Sequence, residues 1–119
     1  MDFPAHEPEW VQRTCRICEE WQNGGSSILQ LFREAGPDLT DRSRFVALVT
    51  TYLRSHADLT GRWQQYAWSK RVSSGPYLEG GEVGYYSHGK HDVVTHDDLS
   101  DACADFLYRE ATSVLSDDL

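Results

Sequence analysis

The apolar residues of this chain change their spacing at Ser73-Ser74-Gly75-Pro76, and that change sets the fold class. Before it they recur at steps of three and four; over residues 76–95 they alternate with polar residues; after that the helical spacing returns. A sheet as short as this stretch allows is not stable alone in water and has to be covered by helices. The expected fold is therefore α+β: four to five helices packed around a small two- or three-stranded antiparallel meander. A length of 119 residues suffices for one core without disulfides or metals, so a single globular domain over 1–119 is expected. Its helical part runs over about 8–70, its meander over about 76–95 and its C-terminal helix over about 97–115.

Local signals place the elements. Pro8 suits a first helical turn, and Trp10, Thr14, Ile17, Cys18 and Trp21 share one face, predicting a helix over about 8–22 that Asn23-Gly24 ends. Ser27 with Gln30 has capping-box spacing, and Gly36-Pro37 closes the short helix that follows. Thr40 or Asp41 starts a third helix with Phe45, Leu48, Val49, Tyr52 and His56 on its apolar side, and Asp58 starts a fourth with Leu59, Trp63, Tyr66 and Ala67. Residues 63–72 also fit a strand, since Tyr66, Trp68, Lys70 and Val72 alternate; helix is the favoured reading. Tyr77-Leu78, Glu82–Tyr86 and Asp92–Thr95 read as short strands. Thr95 or His96 is the expected cap of the last helix, whose stripe is Leu99, Ala102, Cys103, Phe106, Leu107, Ala111, Val114 and Leu115; Ser116–Leu119 is expected to fray.

The charge is unevenly placed. The formal net charge is −8, but residues 37–75 carry +3 and residues 97–119 carry −6. Such a field repels nucleic acid from the C-terminal part and attracts cationic partners at short range. A composition of 39% hydrophobic and 25% charged residues excludes wholesale disorder. No apolar run is long enough to span a bilayer, Met1-Asp2-Phe3-Pro4 has no signal-peptide character, and three cysteines are an odd number, so a cytoplasmic protein without membrane contact is expected.

Several groups could carry chemistry. Cys15-Arg16-Ile17-Cys18 has CxxC spacing, and Cys103 with His88, His91 or His96 could complete a metal site. A pair lying in mid-helix without a second pair lacks the knuckle of a zinc site and the helix N-terminus of a redox site, so the thiols read as small core residues, with no metal or cofactor. His88, His91 and His96 among Asp92, Asp97 and Asp98 could do acid–base work, yet no nucleophile elbow or phosphate loop accompanies them, and no catalytic residue is assigned. Arg54, Arg62, Lys70 and Arg71 lie among Trp63, Tyr66, Trp68 and Tyr77, as on a stacking surface for single strands, but the acidic balance argues against nucleic acid. Arg62, Lys70 and Arg71 could instead pair with the acidic C-terminal helix.

Protein binding has the better ingredients. Tyr85 and Tyr86 lie in the meander near Glu79, Glu82, Asp92, Asp97 and Asp98, and tyrosines bury large area at small rotamer cost. On these residues the chain resembles, in general type, small acidic bacterial immunity proteins. The resemblance implies an intracellular inhibitor that blocks a cationic nuclease or related toxin through an acidic, tyrosine-bearing surface. The expected partner-binding residues are Tyr85, Tyr86, Glu82, Asp92, Asp97 and Asp98, and the expected partner is a basic protein. A small enzyme or metal protein using the His/Asp group, and a regulatory or scaffold subunit of a larger complex, remain the alternatives.

Overall fold

The computed structural model describes residues 7–70, except the Lys70 side chain, and residues 75–116. In chain order the elements are helices α1 (Glu9–Cys15), α2 (Ile17–Asn23), α3 (Ile28–Ala35), α4 (Arg42–Ser55) and α5 (Asp58–Lys70), strands β1 (Gly75–Glu79), β2 (Glu82–Tyr86) and β3 (Lys90–Thr95), and helix α6 (Leu99–Ser116). The fold is α+β, as the change of period implies. The turn expected at Ser73-Ser74, the Arg71 and Val72 positions, the first residues Met1–Pro4 and the tail from Asp117 lie outside the described residues. Among those described, no helix is long and apolar enough to cross a membrane.

The caps read from the sequence largely hold. Ser27 Oγ accepts the Gln30 N–H at 3.1 Å and Gly36 ends α3 at φ 62°. Asp41, rather than Thr40, caps α4 by accepting the Arg44 N–H at 3.1 Å; each such bond contributes about 1 kcal/mol. Between Asp58 and Lys70 the helical reading wins over the strand, because Leu59, Trp63 and Tyr66 are buried together on one face of α5. Neither Thr95 nor His96 caps α6. Asp98 does, accepting the Ser100 N–H at 2.7 Å while its carbonyl accepts from Ala102. Thr95 is still in β3, and the His96 ring is turned toward Asp105.

The helix expected over 8–22 is two helices broken at Arg16, whose φ of −96° and ψ of 2° leave the helical basin. A tertiary contact explains the break. The Cys15 carbonyl, which a continuous helix would offer to Glu19, accepts the Trp63 indole N–H at 2.9 Å, and the Glu19 N–H turns to Arg16 instead. Arg16 Nε in turn donates to the Tyr52 hydroxyl at 2.8 Å.

Helix α6 is the centre of the molecule, packed against α3, α4, α5, β1 and β2. Surrounded in this way, it buries almost every residue from Ser100 to Ala111, including Asp105, Arg109 and Glu110. The expected stripe is only its most apolar side, and Leu99 falls outside it, 50% exposed on the first turn. Glu110 accepts a hydrogen bond from the Tyr66 hydroxyl in the core; burial, then the Glu110 charge, push the Tyr66 pKa far up.

The sheet is an antiparallel meander in the order β1-β2-β3. Tyr77 pairs with Gly84 and Leu78 with Val83, so Leu78 and Val83 face the helices while Tyr77, Gly84 and Tyr86 share the outer face. Gly84 leaves room for the Tyr77 ring to lie across the strand: a Cβ there would come within 2.9 Å of Tyr77 Cε2. The Tyr77 hydroxyl is tied to Glu82 and the ring is buried, so it cannot easily give way. Gly84→Ala is expected to cost about 1–3 kcal/mol in urea denaturation.

Candidate protein-binding surface

Strand alternation builds two different faces on the meander. On the outer face the Tyr77 and Tyr86 rings lie 4.7 Å apart, and Lys90, paired with Tyr86 across the strands, places its Nζ 5.1 Å from the centre of the Tyr77 ring. The same ammonium reaches Glu79 at 3.1 Å and Glu82 at 3.0 Å, and the Tyr77 hydroxyl donates to Glu82 at 2.5 Å. The hydrogen bond from Tyr77, then that from Lys90, holds the Glu82 carboxyl below the usual carboxylate range. Burial and the bond to Glu82 push the Tyr77 phenol up to about 12. Two carboxylates share one lysine here, so this face keeps a negative surplus.

The inner face meets α6. The Tyr85 ring stacks on His91 at 5.5 Å, and the Arg109 guanidinium lies 5.1 Å from the ring centre. Arg109 donates to the Asp92 carbonyl at 2.8 Å and to Asp105 at 2.9 Å. Asp105, 1% exposed, also receives Arg42 at 2.6 Å and His96 at 2.9 Å. Arg42 from α4, Arg109 from α6 itself and His96 from the corner between β3 and α6 thus converge on one buried carboxylate.

Tyr85 and Tyr86 are therefore not one patch. Tyr86 and Glu82 share the outer face; Tyr85 points inward, with Asp92 beside it through His91 and Arg109. Asp92 occupies the irregularity between β2 and β3 with φ 53°, its side chain 73% exposed. Asp97 is exposed at the corner before α6. Asp98 is engaged twice, by the Ser100 N–H and by Arg54 at 2.8 Å, and these bonds lower its pKa in that order. Sequence reasoning missed the roles of Lys90 and Arg109. The i, i+4 spacing of Asp105 and Arg109 was the available sign of the second.

The other candidate groups are dispersed. His88 is in the β2–β3 turn at φ 58°, His91 lies 3.0 Å from Asp92, and His96 is held by Asp105, so the three histidines have three different partners or settings. The CxxC pair is not in mid-helix but straddles the break at Arg16, with Cys15 ending α1 and Cys18 in the first turn of α2. All three cysteines are free and buried; burial pushes every thiol up, that of Cys18 to about 12, which keeps them protonated near neutrality. Among the described residues, no group of three ligating side chains is placed to hold a metal ion.

Of the basic and aromatic middle, Trp63, Tyr66 and Tyr77 are buried and Trp68 is 66% exposed. Arg62 bonds Gln22, not α6; among the described residues of that stretch, Arg42 and Arg54 meet α6, while the Lys70 side chain and Arg71 lie outside those described. No protein-family model, curated protein or solved structure matches the chain.

Proposed function

We propose that this chain is a protein-binding domain, an inhibitor or immunity protein that neutralises a basic partner such as a toxin in the cytoplasm. The observation that carries the reading is β3. It is one of the two edge strands of the sheet and, unlike β1, has all six of its residues exposed, with Val93 and Val94 43% and 41% open beside Asp92 and Asp97. An edge strand offers main-chain groups for pairing with another chain, and its exposed valines and the neighbouring Tyr86 supply apolar area. The surrounding carboxylates favour a cationic partner and speed the encounter. Three buried, unpaired thiols support a reducing compartment.

The test uses a partner captured from the host and then purified. Tyr86→Ala combined with Asp92→Lys and Asp97→Lys changes the surface while keeping Asp105 and its three side-chain partners, Arg42, His96 and Arg109. It is expected to weaken binding by about 100-fold and flatten the salt dependence of the association rate, with the circular dichroism unchanged. Full affinity and an unchanged salt dependence in a folded variant would place the partner elsewhere.

A further inference from the structure

The sheet has two edges, and they are built differently. Strand β1 carries Pro76, which has no N–H to offer, and it packs against α5 and α6. The first half of β3 is blunted as well, by Lys90 and by the irregularity at Asp92, whose carbonyl is taken by Arg109 at 2.8 Å. Val93-Val94-Thr95 has neither proline nor charge, and among the described residues no strand lies beyond it. One hydrogen bond fixes which way its main chain points. The His96 N–H donates to the Gly81 carbonyl at 2.8 Å, so the Thr95 carbonyl, on the far side of the same trans peptide, turns away from β2. Val94, two residues before His96 and paired with Val83, turns its own N–H and carbonyl toward β2. The Val93 carbonyl and the Thr95 N–H share peptide planes with those groups and therefore turn outward. Three main-chain groups in a row thus face the open edge, flanked by the two exposed valines on opposite faces of the sheet.

The charges at the ends of this segment select its occupant. Asp92 precedes it and Asp97 follows it, both exposed. A second copy of this chain, itself at −8, sets like charges against like. A short apolar strand bracketed by basic residues meets the opposite charge at both ends. We propose that the basic partner is held by strand addition: an extended segment of this pattern joins residues 93–95 as a fourth strand of the sheet. The proposal rests on the reading of the chain as a protein-binding domain and names the segment, and the main-chain groups, by which a basic partner is held.

The probe is a backbone-cyclised hairpin peptide with Lys-Val-Thr-Val-Lys as one strand, titrated into the full chain by NMR. One control is the same hairpin N-methylated at the outward amides of that strand, which keeps every side chain; the other has glutamates for the lysines. Saturable shifts at Val93, Val94 and Thr95 are expected with the unmodified hairpin, with the Thr95 amide exchanging with deuterium at least about tenfold more slowly at saturation. Both controls are expected to bind at least about tenfold more weakly. Thr95→Pro deletes the outward N–H without removing a bond to β2 and is expected to weaken binding by the same factor, whereas Thr95→Val, which keeps it, binds like wild type. Circular dichroism checks the fold, and the N-methylated hairpin makes the same test from the peptide side should the proline variant not fold. Absence of a saturable shift, equal binding by either control, or unchanged binding by a folded Thr95→Pro overturns the proposal. So does a concentration-dependent dimer of the free chain that protects the Thr95 amide, which assigns the edge to a second copy. If the hairpin fails while the captured partner still responds to the Tyr86, Asp92 and Asp97 substitutions, strand addition is refuted and the meander reading stands. If the hairpin binds as expected and the partner ignores those substitutions, the meander reading falls and the edge stands as a strand-accepting site.

Discussion

Asp105→Ala is expected to lower the unfolding free energy by about 3–5 kcal/mol in urea denaturation at pH 7, a large share of what a domain of this size possesses. The carboxylate is 1% exposed and receives Arg42, Arg109 and His96 within 2.9 Å. Removing it leaves Arg109, itself buried, with the Asp92 carbonyl but without its counter-charge. The loss therefore reflects a stranded cation as much as a missing bond. Burial pushes the Asp105 carboxyl up, but the bonds from His96 and Arg109 and the nearby Arg42 charge outweigh it, so the pKa lies below its ordinary 3.8. A lowered carboxyl pKa stabilises the folded state above the unfolded value, and the contribution fades as pH falls from about 4 through the folded value. Wild type should lose this increment on acidification and Asp105→Ala should not. A cost under about 1 kcal/mol, or parallel acid profiles, would mean that the cluster does not tie the sheet to the helices.

Trp63→Ala is expected to cost a similar amount, about 3–5 kcal/mol, for a different reason. Trp63 is the largest fully buried side chain, and its ring contacts Phe32, Tyr66 and Phe106. Its loss opens a cavity and also frees the Cys15 carbonyl that the indole had drawn out of the helix. The α1–α2 break should then relax toward a continuous helix, visible as altered amide shifts at Arg16 and Glu19. Trp63→Phe separates the two effects by keeping most of the volume while deleting the N–H. If Trp63→Phe leaves the Arg16 and Glu19 signals unmoved, the indole bond is not what breaks the helix.

These two residues mark where local sequence signals end. Ser27 with Gln30, Asp41 and Gly36 act through neighbours a few positions away, and the elements they bound are legible from spacing alone. The alternation of Glu82–Tyr86 likewise places Tyr85 and Tyr86 on opposite faces before any fold is known. The break at Arg16 depends on Trp63, far along the chain, and no local pattern announces it. The same holds for α6: its apolar stripe is clear, but its central position, which buries Asp105, Arg109 and Glu110, follows from how many elements surround it. At the candidate site, Tyr86 and Asp92 were identifiable by type, whereas Lys90 became part of the outer face only through the β2–β3 register.

The charge map changes for the same reason. Along the chain a basic stretch of +3 is separated from an acidic end of −6. In space Arg42 and Arg54 from that stretch fold onto Asp105, Asp98 and Asp101 of the acidic end, and much of the contrast is neutralised inside the molecule. Among the described carboxylates of the meander and the corner before α6, Glu79 and Glu82 keep a surplus over Lys90, and Asp92 and Asp97 lie along the exposed edge. That region is the surface proposed to meet a cationic protein.

Hydrogen–deuterium exchange of the chain with and without its purified partner tests that assignment most directly. Slowed exchange is expected over Glu82–Tyr86 and Lys90–Thr95 in the complex, with the α1 and α3 amides unchanged. Slowing confined to α1 and α3, with β3 exchanging as in the free chain, would contradict it.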